Sequence, residues 1–501
     1  MAASRDRSGW AWAACLAAAP VLARPIDDPD LWWHLSAGRW IAEHRAVPAA
    51  DWLSHTMAGK AWTDFEWLSQ LSFWAADRCA GPAGLWALKA GLLGCAVAVV
   101  HSMLKGLGLP AFWRAFGAAF WCAAVIPRAD LRTELFSVLA FALLLRRLRL
   151  GPAPGPAAAF LSFCLWANLH AGFVYGLALL GVFAAFDAPR RGRLSLALAA
   201  GAAGTLLNPY GWDVYGVLWE HARALEPLRR FIVEWAPLTF RRTSHWPTWL
   251  LLAGWAALLA RAWRRGGRAP SPAMAAATAL FGLGVLRHSR LMVFFATLSV
   301  PAALELAASS GVLDRVRRSP AGRLARALGP RAVAPLCAAG FFAALWWGRW
   351  DRAFEGFVRE SDFPARTAAW LEEQPGLEAR TAYNPWEWGG YLGWRLGPRL
   401  RVFQDGRYLF HPLLEEENEA LRSPETWQAY LDRRGVDLAI LKSPARRDCV
   451  AYRWFGEREG FRRRDFLRYM PPARWRLARF DEQALVYVRR TLDNVGGRGP
   501  Y

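Results

Sequence analysis

Residues 10–35 read WAWAACLAAAPVLARPIDDPDLWWHL. Arg5 and Arg7 precede an apolar run from Trp10 to Ala23, and three carboxylates, Asp27, Asp28 and Asp30, follow it within a few residues. A basic flank, an apolar run and an acidic exit are the pattern of a first membrane span that starts on the inner side. A cleaved secretory signal is the alternative, since Ala17 to Ala19 supply small residues. Both readings put residue 27 outside. Cys15 has too little apolar sequence before it to be a lipoprotein cysteine.

Outward from this stretch, a bilayer core takes about 20 helical residues. Comparable apolar runs lie near 83–104, 110–127, 133–146, 156–170, 172–188, 194–208, 246–263, 270–286, 291–308 and 331–349. The expectation is a polytopic α-helical membrane protein of about eleven spans, counting the first near 9–25. The 501-residue chain has a formal charge of +21, and only four of its 62 basic residues are Lys (60, 89, 105 and 442). A nucleic-acid binder would gather this charge on one face or in one segment. Here it falls in short clusters between apolar runs: Arg146 to Arg149, Arg190 to Arg193, Arg261 to Arg268 and Arg315 to Arg331. With the N-terminus inside, every cluster lies on the cytoplasmic face, as the positive-inside rule asks. A disordered tail or disulfide scaffold is excluded by the 54% apolar content and by 7 scattered Cys without C-x-x-C spacing, which also argues against zinc.

The remaining polar sequence then lies outside. It comprises Asp27 to Gly84, the turns Arg128 to Arg132 and Arg287 to Arg290, the loop Asn208 to Pro237, and everything after about residue 350. Residues 1–350 are read as the membrane domain, including outer loop 27–84, and residues 351–501 as a soluble extracytoplasmic α/β domain. In the loop, Asp28-Pro29-Asp30 opens one surface helix, with Asp28 as cap. Thr63-Asp64-Phe65-Glu66 reads as a capping box opening a second helix, which runs to about Cys79. Seven Trp (32, 33, 40, 52, 62, 67 and 74) suit helices at headgroup depth. In the C-terminal domain, strands are expected at 380–383, 400–403 and 436–441 and as a hairpin at 475–480 and 484–488. Helices are expected near 363–373, 388–394 and 424–434. The tail from Gly496 is expected to fray.

Three carboxylates within four residues could supply a general base or hold a divalent cation, Mg2+ or Mn2+, through Asp28 and Asp30. Capping explains two of them without chemistry. Glu66 has the capping-box role as its alternative. His34, one turn after Asp30, could pair with it. Outer-face Arg128, Arg132, Arg287 and His288, with His170 at the end of a span, run against the positive-inside bias, and binding of an anionic phosphate gives a reason. Pairing with Asp130 or Glu134, or a snorkelling imidazole at 170, is the plainer account. Glu387, Trp388, Asp405 and Arg407 cluster around a W-G-G-Y-L segment and a DG turn, whose aromatics suit either a sugar ring or a core.

These segments together resemble the GT-C class of integral-membrane glycosyltransferases. Asp28 to Leu35 (DPDLWWHL), Trp166 to His170, Asn208 to Gly211, Glu234-Trp235 and Trp388 to Leu392 resemble a group of bacterial membrane proteins known mainly as predicted glycosyltransferases. Trp386 to Tyr391 followed by Asp405 to Arg407 is also similar to the WWDYG region of oligosaccharyltransferase catalytic subunits. Glu387 stands where that family has Asp, and Gly390 interrupts its pattern.

The resemblance implies inverting transfer of a sugar from a polyprenyl-phosphate donor to a glycan, lipid or protein acceptor at the outer face of the bacterial inner membrane. Asp28 or Asp30, with Asp27 as third choice, would be base or metal ligand. Arg132, Arg128, Arg287, His288 or His170 would steady the leaving phosphate. His34, Glu66, Glu387, Trp388, Asp405 and Arg407 would serve the acceptor or support the site. The inner loops carry no Walker A segment or nucleotide-sugar site, in keeping with a lipid-linked donor. A transporter or flippase of lipid-linked or anionic substrates would need ionisable residues deep in spans, where only Lys89, Arg114 and Glu305 occur. A non-catalytic envelope scaffold and a wall-polymer ligase are the other readings.

Overall fold

The structure is a computed structural model that describes residues 22, 24–223, 229, 231–264, 270–320, 322–324, 329, 356–358, 362–443 and 466–490. The expected span near 331–349, the tail from Gly496, and the span near 9–25 apart from its last residues lie outside the described residues. The chain forms two compact units. Unit 1 takes residues 1–26, 65–69 and 76–358, and unit 2 takes 27–64, 70–75 and 359–501, so the outer loop contributes to both.

Unit 1 is helical. Its described elements include α1 (Trp67–Gly106), α2 (Ala111–Val125), α3 (Glu134–Leu150), α4 (Pro156–Leu169), α5 (Phe173–Phe186), α6 (Arg191–Thr205), α7 (Asp213–Arg223), α8 (Trp246–Arg264), α9 (Pro272–Arg287) and α10 (Met292–Ser309). Among the described residues, two helical stretches, Trp67–Gly106 and Ser289–Ser309, are long and apolar enough to cross a membrane. A third is added if Phe173–Phe186 and Ala188–Thr205, bent by 104°, form one span. Pro156–Leu169 and Pro272–Arg287 are shorter apolar helices. A count of eleven is finer than these lengths support.

The expected second surface helix and the span after it are two helices within Trp67–Gly106, separated where Ala80 and Gly81 leave helical geometry; Gly81 takes a φ of 56°, which suits glycine, ahead of Pro82. The capping box at Thr63 to Glu66 does not form. The helix starts at Trp67, Glu66 makes no capping bond, and the Thr63 amide donates to Tyr408 Oη at 3.0 Å. Glu66 finds a stronger use for its carboxylate elsewhere, described below. Lys89 is fully buried, and its ammonium donates to the carbonyls of Arg24 and Pro25, so a lysine inside an apolar helix serves backbone oxygens near the exit of the first segment.

Polar side chains finish the helix ends of unit 1. At the end of α4, Asn168 donates from Nδ2 to the carbonyls of Cys164 and Leu207, both at 2.8 Å, and accepts from Trp67 Nε1 at 2.8 Å. The Asn208-Pro209-Tyr210-Gly211 turn closes on itself: Asn208 Oδ1 accepts from the Tyr210 amide, and Gly211 takes a φ of 53°. These bonds give W-x-N-x-H and N-P-x-G a folding role, since backbone groups near hydrocarbon need partners within the protein.

Unit 2 holds a four-stranded sheet of β1 (Ala382–Tyr383), β2 (Leu438–Lys442), β3 (Trp475–Phe480) and β4 (Ala484–Arg489) in the order β1-β2-β4-β3. The first pair is parallel and the others antiparallel. The strand expected at 400–403 is a single bridge, Val402 to Ser54, because its hydrogen bonds go to the 53–55 turn. Helix α11 (Leu31–His44) packs on α12 (Trp386–Leu396). Gly390 allows this approach: a Cβ there would lie 3.0 Å from Trp33 N and 3.2 Å from Pro29 O. Beside it Trp32, Phe363 and Tyr391 form a three-ring cluster with centroids 4.9 to 5.4 Å apart. Gly389 faces the other way, and a Cβ would fall 1.7 Å from the Gln404 carbonyl. Gly389→Ala is therefore expected to destabilise unit 2 by the overpacking cost of about 1–3 kcal/mol, measured as a lower unfolding midpoint of the purified protein. An unchanged midpoint would show that this contact relaxes freely.

Candidate functional site

In unit 2 the acidic turn is built one step before the helix. Asp28 is buried, and its Oδ1 accepts the Asp30 amide at 2.9 Å, an Asx turn that Pro29 fits. Asp30 sits at the N-cap of α11 without capping it. Instead its Oδ1 accepts Trp33 Nε1 at 3.2 Å. The helix thus begins at Leu31, with Asp28 fixing the turn and Asp30 held by an indole. Asp27 is half-buried beside them. His34 is buried, its ring centroid 3.6 Å from that of Trp33 and 5.7 Å from that of Phe73. Among the described residues no group of three or more His, Cys, Asp or Glu side chains is arranged to hold a metal ion. Asp28 and Asp30 each already spend an oxygen on a hydrogen bond.

Asp405 and Arg407 form a buried ionic core. The guanidinium reaches both oxygens of Asp405 at 2.8 to 3.1 Å and Asp51 Oδ1 at 2.7 Å. Trp62 covers its face at 4.7 Å. Asp51 in turn accepts the Ser54 hydroxyl at 2.5 Å and the Leu53 and Ser54 amides. Burial raises the pKa of Asp405, against the pull of Arg407. For Arg407 burial opposes the charge, yet the two carboxylates outweigh it and hold the guanidinium protonated. Asp51 is absent from the sequence candidates, and its only local signal is a D-x-x-S turn. Gly406 lies against Asp30: a Cβ there would sit 1.8 Å from Asp30 Oδ1. The DG turn therefore seats the acidic turn. Trp388 is core, 1% exposed, with Nε1 donating to the Asp362 carbonyl, so its indole has no open face for a sugar. Glu387 is on the surface, 2.9 Å from Lys442 Nζ.

In unit 1 the basic residues at 128, 132 and 290 meet carboxylates. Arg128 is buried and binds Glu134 Oε2 through Nε at 2.8 Å and through Nη2, and it also contacts Glu234. Arg132 Nη1 holds both oxygens of Glu234 at 3.0 Å. Arg290 lies 4.0 Å from Glu134 and over the Trp235 ring at 5.4 Å. The Glu234-Trp235 segment is pinned again by Ser289 Oγ to the Glu234 carbonyl and by His288 Nδ1 at 3.2 Å from the Trp235 carbonyl. Arg287 is exposed at the end of α9. His170 is buried beside Glu66, its Nε2 3.7 Å from Glu66 Oε1, which also accepts the Thr133 hydroxyl at 2.7 Å. Burial pushes the Glu66 carboxyl up to about 7, although the Thr133 bond and Arg290 favour its ionised form. Glu134 pairs with Arg128, as the plainer sequence account expected, whereas Glu234 and Thr133 were outside the sequence candidates. Their signal was only adjacency to Arg132 and membership in the E-W pair.

No protein-family model and no curated protein matches the chain. Among solved structures it is similar to the oligosaccharyltransferase of Archaeoglobus fulgidus in the apo form, at 11% identity and TM-score 0.56, covering 87% of this chain and 69% of that one. It is also similar to ArnT from Cupriavidus metallidurans bound to undecaprenyl phosphate, at 15% identity and TM-score 0.51, covering 98% of each. The chain has the GT-C fold.

Two outcomes follow from the buried charges. Arg407→Leu leaves Asp51 and Asp405 buried without their cation, and thermal unfolding is expected to show a loss of about 3–5 kcal/mol. Folded Glu66 keeps, between pH 4.5 and about 7, a proton that the unfolded chain releases, so stability falls as pH rises through that window. Glu66→Gln is expected to flatten this part of the stability profile in detergent solution. An unchanged slope would assign it to another group.

Proposed function

We propose that this chain is a membrane glycosyltransferase that moves a sugar from a polyprenyl-phosphate donor to an acceptor at the outer face of a bacterial inner membrane. The observation that carries the reading is the acidic turn at Asp28 and Asp30 in a chain of GT-C fold. The undecaprenyl phosphate held by the ArnT structure supports a lipid phosphate as the donor's carrier. Residues 1–350 are the membrane domain in this proposal, with about eleven spans and the N-terminus inside. Residues 351–501 are an outer α/β domain.

Transfer is a single displacement. Asp28 or Asp30 takes the proton from the acceptor hydroxyl, and the acceptor oxygen bonds to the anomeric carbon. The bond from that carbon to the phosphate oxygen breaks, and its electron pair leaves with the polyprenyl phosphate. Attack opposite the leaving group inverts the configuration. Arg128, Arg132 and Arg290, with Arg287 and His288 near them in sequence, are the groups of unit 1 suited to an anionic lipid phosphate. The guanidinium groups of the first three lie against Glu134 and Glu234. His34 and the Asp405–Arg407 pair support the acidic turn from within unit 2, and Glu387 offers a carboxylate at the surface for an acceptor.

Two of the three span charges that a transporter would use have structural partners: Lys89 meets backbone carbonyls, and Glu305 pairs with Arg149 at 2.5 Å. Replacing Asp28 and Asp30 together by Asn keeps the oxygens that accept from Asp30 N and Trp33 Nε1. Sugar transfer from a lipid-linked donor in isolated membranes is expected to drop about 10²–10⁴-fold, with membrane insertion unchanged. Transfer retained at the original rate removes the acidic turn from the mechanism.

A further inference from the structure

Glu66 and His170 in unit 1 are tied into a directional hydrogen-bond chain that the displacement does not use. Trp166 Nε1 donates to Ser137 Oγ at 2.7 Å. An indole nitrogen only donates, so the Ser137 hydroxyl hydrogen is free to point at His170 Nδ1, 2.7 Å away. The Gly172 amide donates to that same nitrogen at 2.9 Å. With two donors aimed at it, Nδ1 is an acceptor and the neutral ring carries its proton on Nε2. That N–H faces Glu66 Oε1 at 3.7 Å. Gly172 belongs to the arrangement, because a Cβ there would meet Ser137 Oγ at 2.4 Å.

Glu66 is thus enclosed by the Thr133 hydroxyl and Glu134 at the start of α3, by His170 at the end of α4, and by Arg290 from the turn before α10. Arg128 and Arg132 lie beyond, bound to Glu134 and Glu234. An ionised Glu66 adds a negative charge beside Arg290 and Glu134, and a protonated Glu66 does not.

We propose that Glu66 takes up a proton when an anionic phosphodiester headgroup binds at the Arg128–Arg132–Arg290 cluster, which couples capture of the lipid-linked donor to proton uptake. The coupling rests on the phosphate-site reading above. A bound negative charge and an ionised Glu66 repel one another in a low-dielectric setting, so each disfavours the other, and the dependence is reciprocal. His170 and Ser137 act as positioning residues that keep an N–H, and no cation, against the carboxyl.

The test uses the full-length protein in detergent and the methyl diester of a polyprenyl phosphate, whose single charge is constant across the neutral range. Its affinity is measured by calorimetry near pH 6 and pH 8, in two buffers of different ionisation enthalpy so that proton uptake is counted. One unit of coupling makes wild-type binding about fivefold tighter at the lower pH, with net proton uptake. Glu66→Gln is expected to bind equally at both and to take up no proton. Thr133→Val, which removes a bond favouring the carboxylate, is expected to move the midpoint to higher pH, and it carries the test if the Gln variant does not fold. Wild-type binding that ignores pH, uptake that persists in Glu66→Gln, or an unmoved midpoint in Thr133→Val overturns the coupling alone. A diester that binds at neither pH overturns the phosphate-site reading itself.

Discussion

A guanidinium taken out of water needs carboxylates within hydrogen-bond reach, and each compact unit is arranged around one that has them. In unit 2 Arg407 is clasped by Asp405 and Asp51. In unit 1 Arg128 is held by Glu134 and Glu234. Desolvating such ions costs several kcal/mol each, so the pairs add little net stability, but a wrong arrangement would leave a bare buried charge. Their value is registry: residue 51 must meet 405 to 407, and residue 128 must meet 234.

In unit 2 that registry places the acidic turn. Gly406 stands between Asp405 and Arg407, and the space that its missing Cβ leaves is where the Asp30 carboxylate lies. Gly390 makes room for Pro29 and Trp33 in the same way. A glycine exposes backbone that another segment can touch, and here both glycines are touched by the turn that carries Asp28 and Asp30. The W-G-G-Y-L and DG motifs are thus the seat of the acidic turn, and Trp388 is a buried anchor of that seat.

The sequence conveyed the helices of unit 1 well, because an apolar run of sufficient length is a one-dimensional signal. The strands at 438–442, 475–480 and 484–489 were close to their expected places for a similar reason, alternation near turn residues. The expected capping box failed, although its residues fit the pattern, because Thr133 offers Glu66 a hydroxyl in a buried setting while a cap offers one backbone N–H near water. The bridge at Val402 lacked a second strand to pair with. Asp51 and Glu234 were passed over because a carboxylate in a chain says nothing of which cation it will face.

The amino-acid order alone settled the apolar helices and the likeness to GT-C proteins, both of which are properties of local runs and motifs. The tertiary structure alone decided which acids meet which bases: that Asp405 and Arg407 close on Asp51, that Trp388 is core, and that Glu66 faces the Nε2–H of His170. Charge and hydrogen-bond energies depend on distances between segments far apart in the chain, and those distances exist only after it folds.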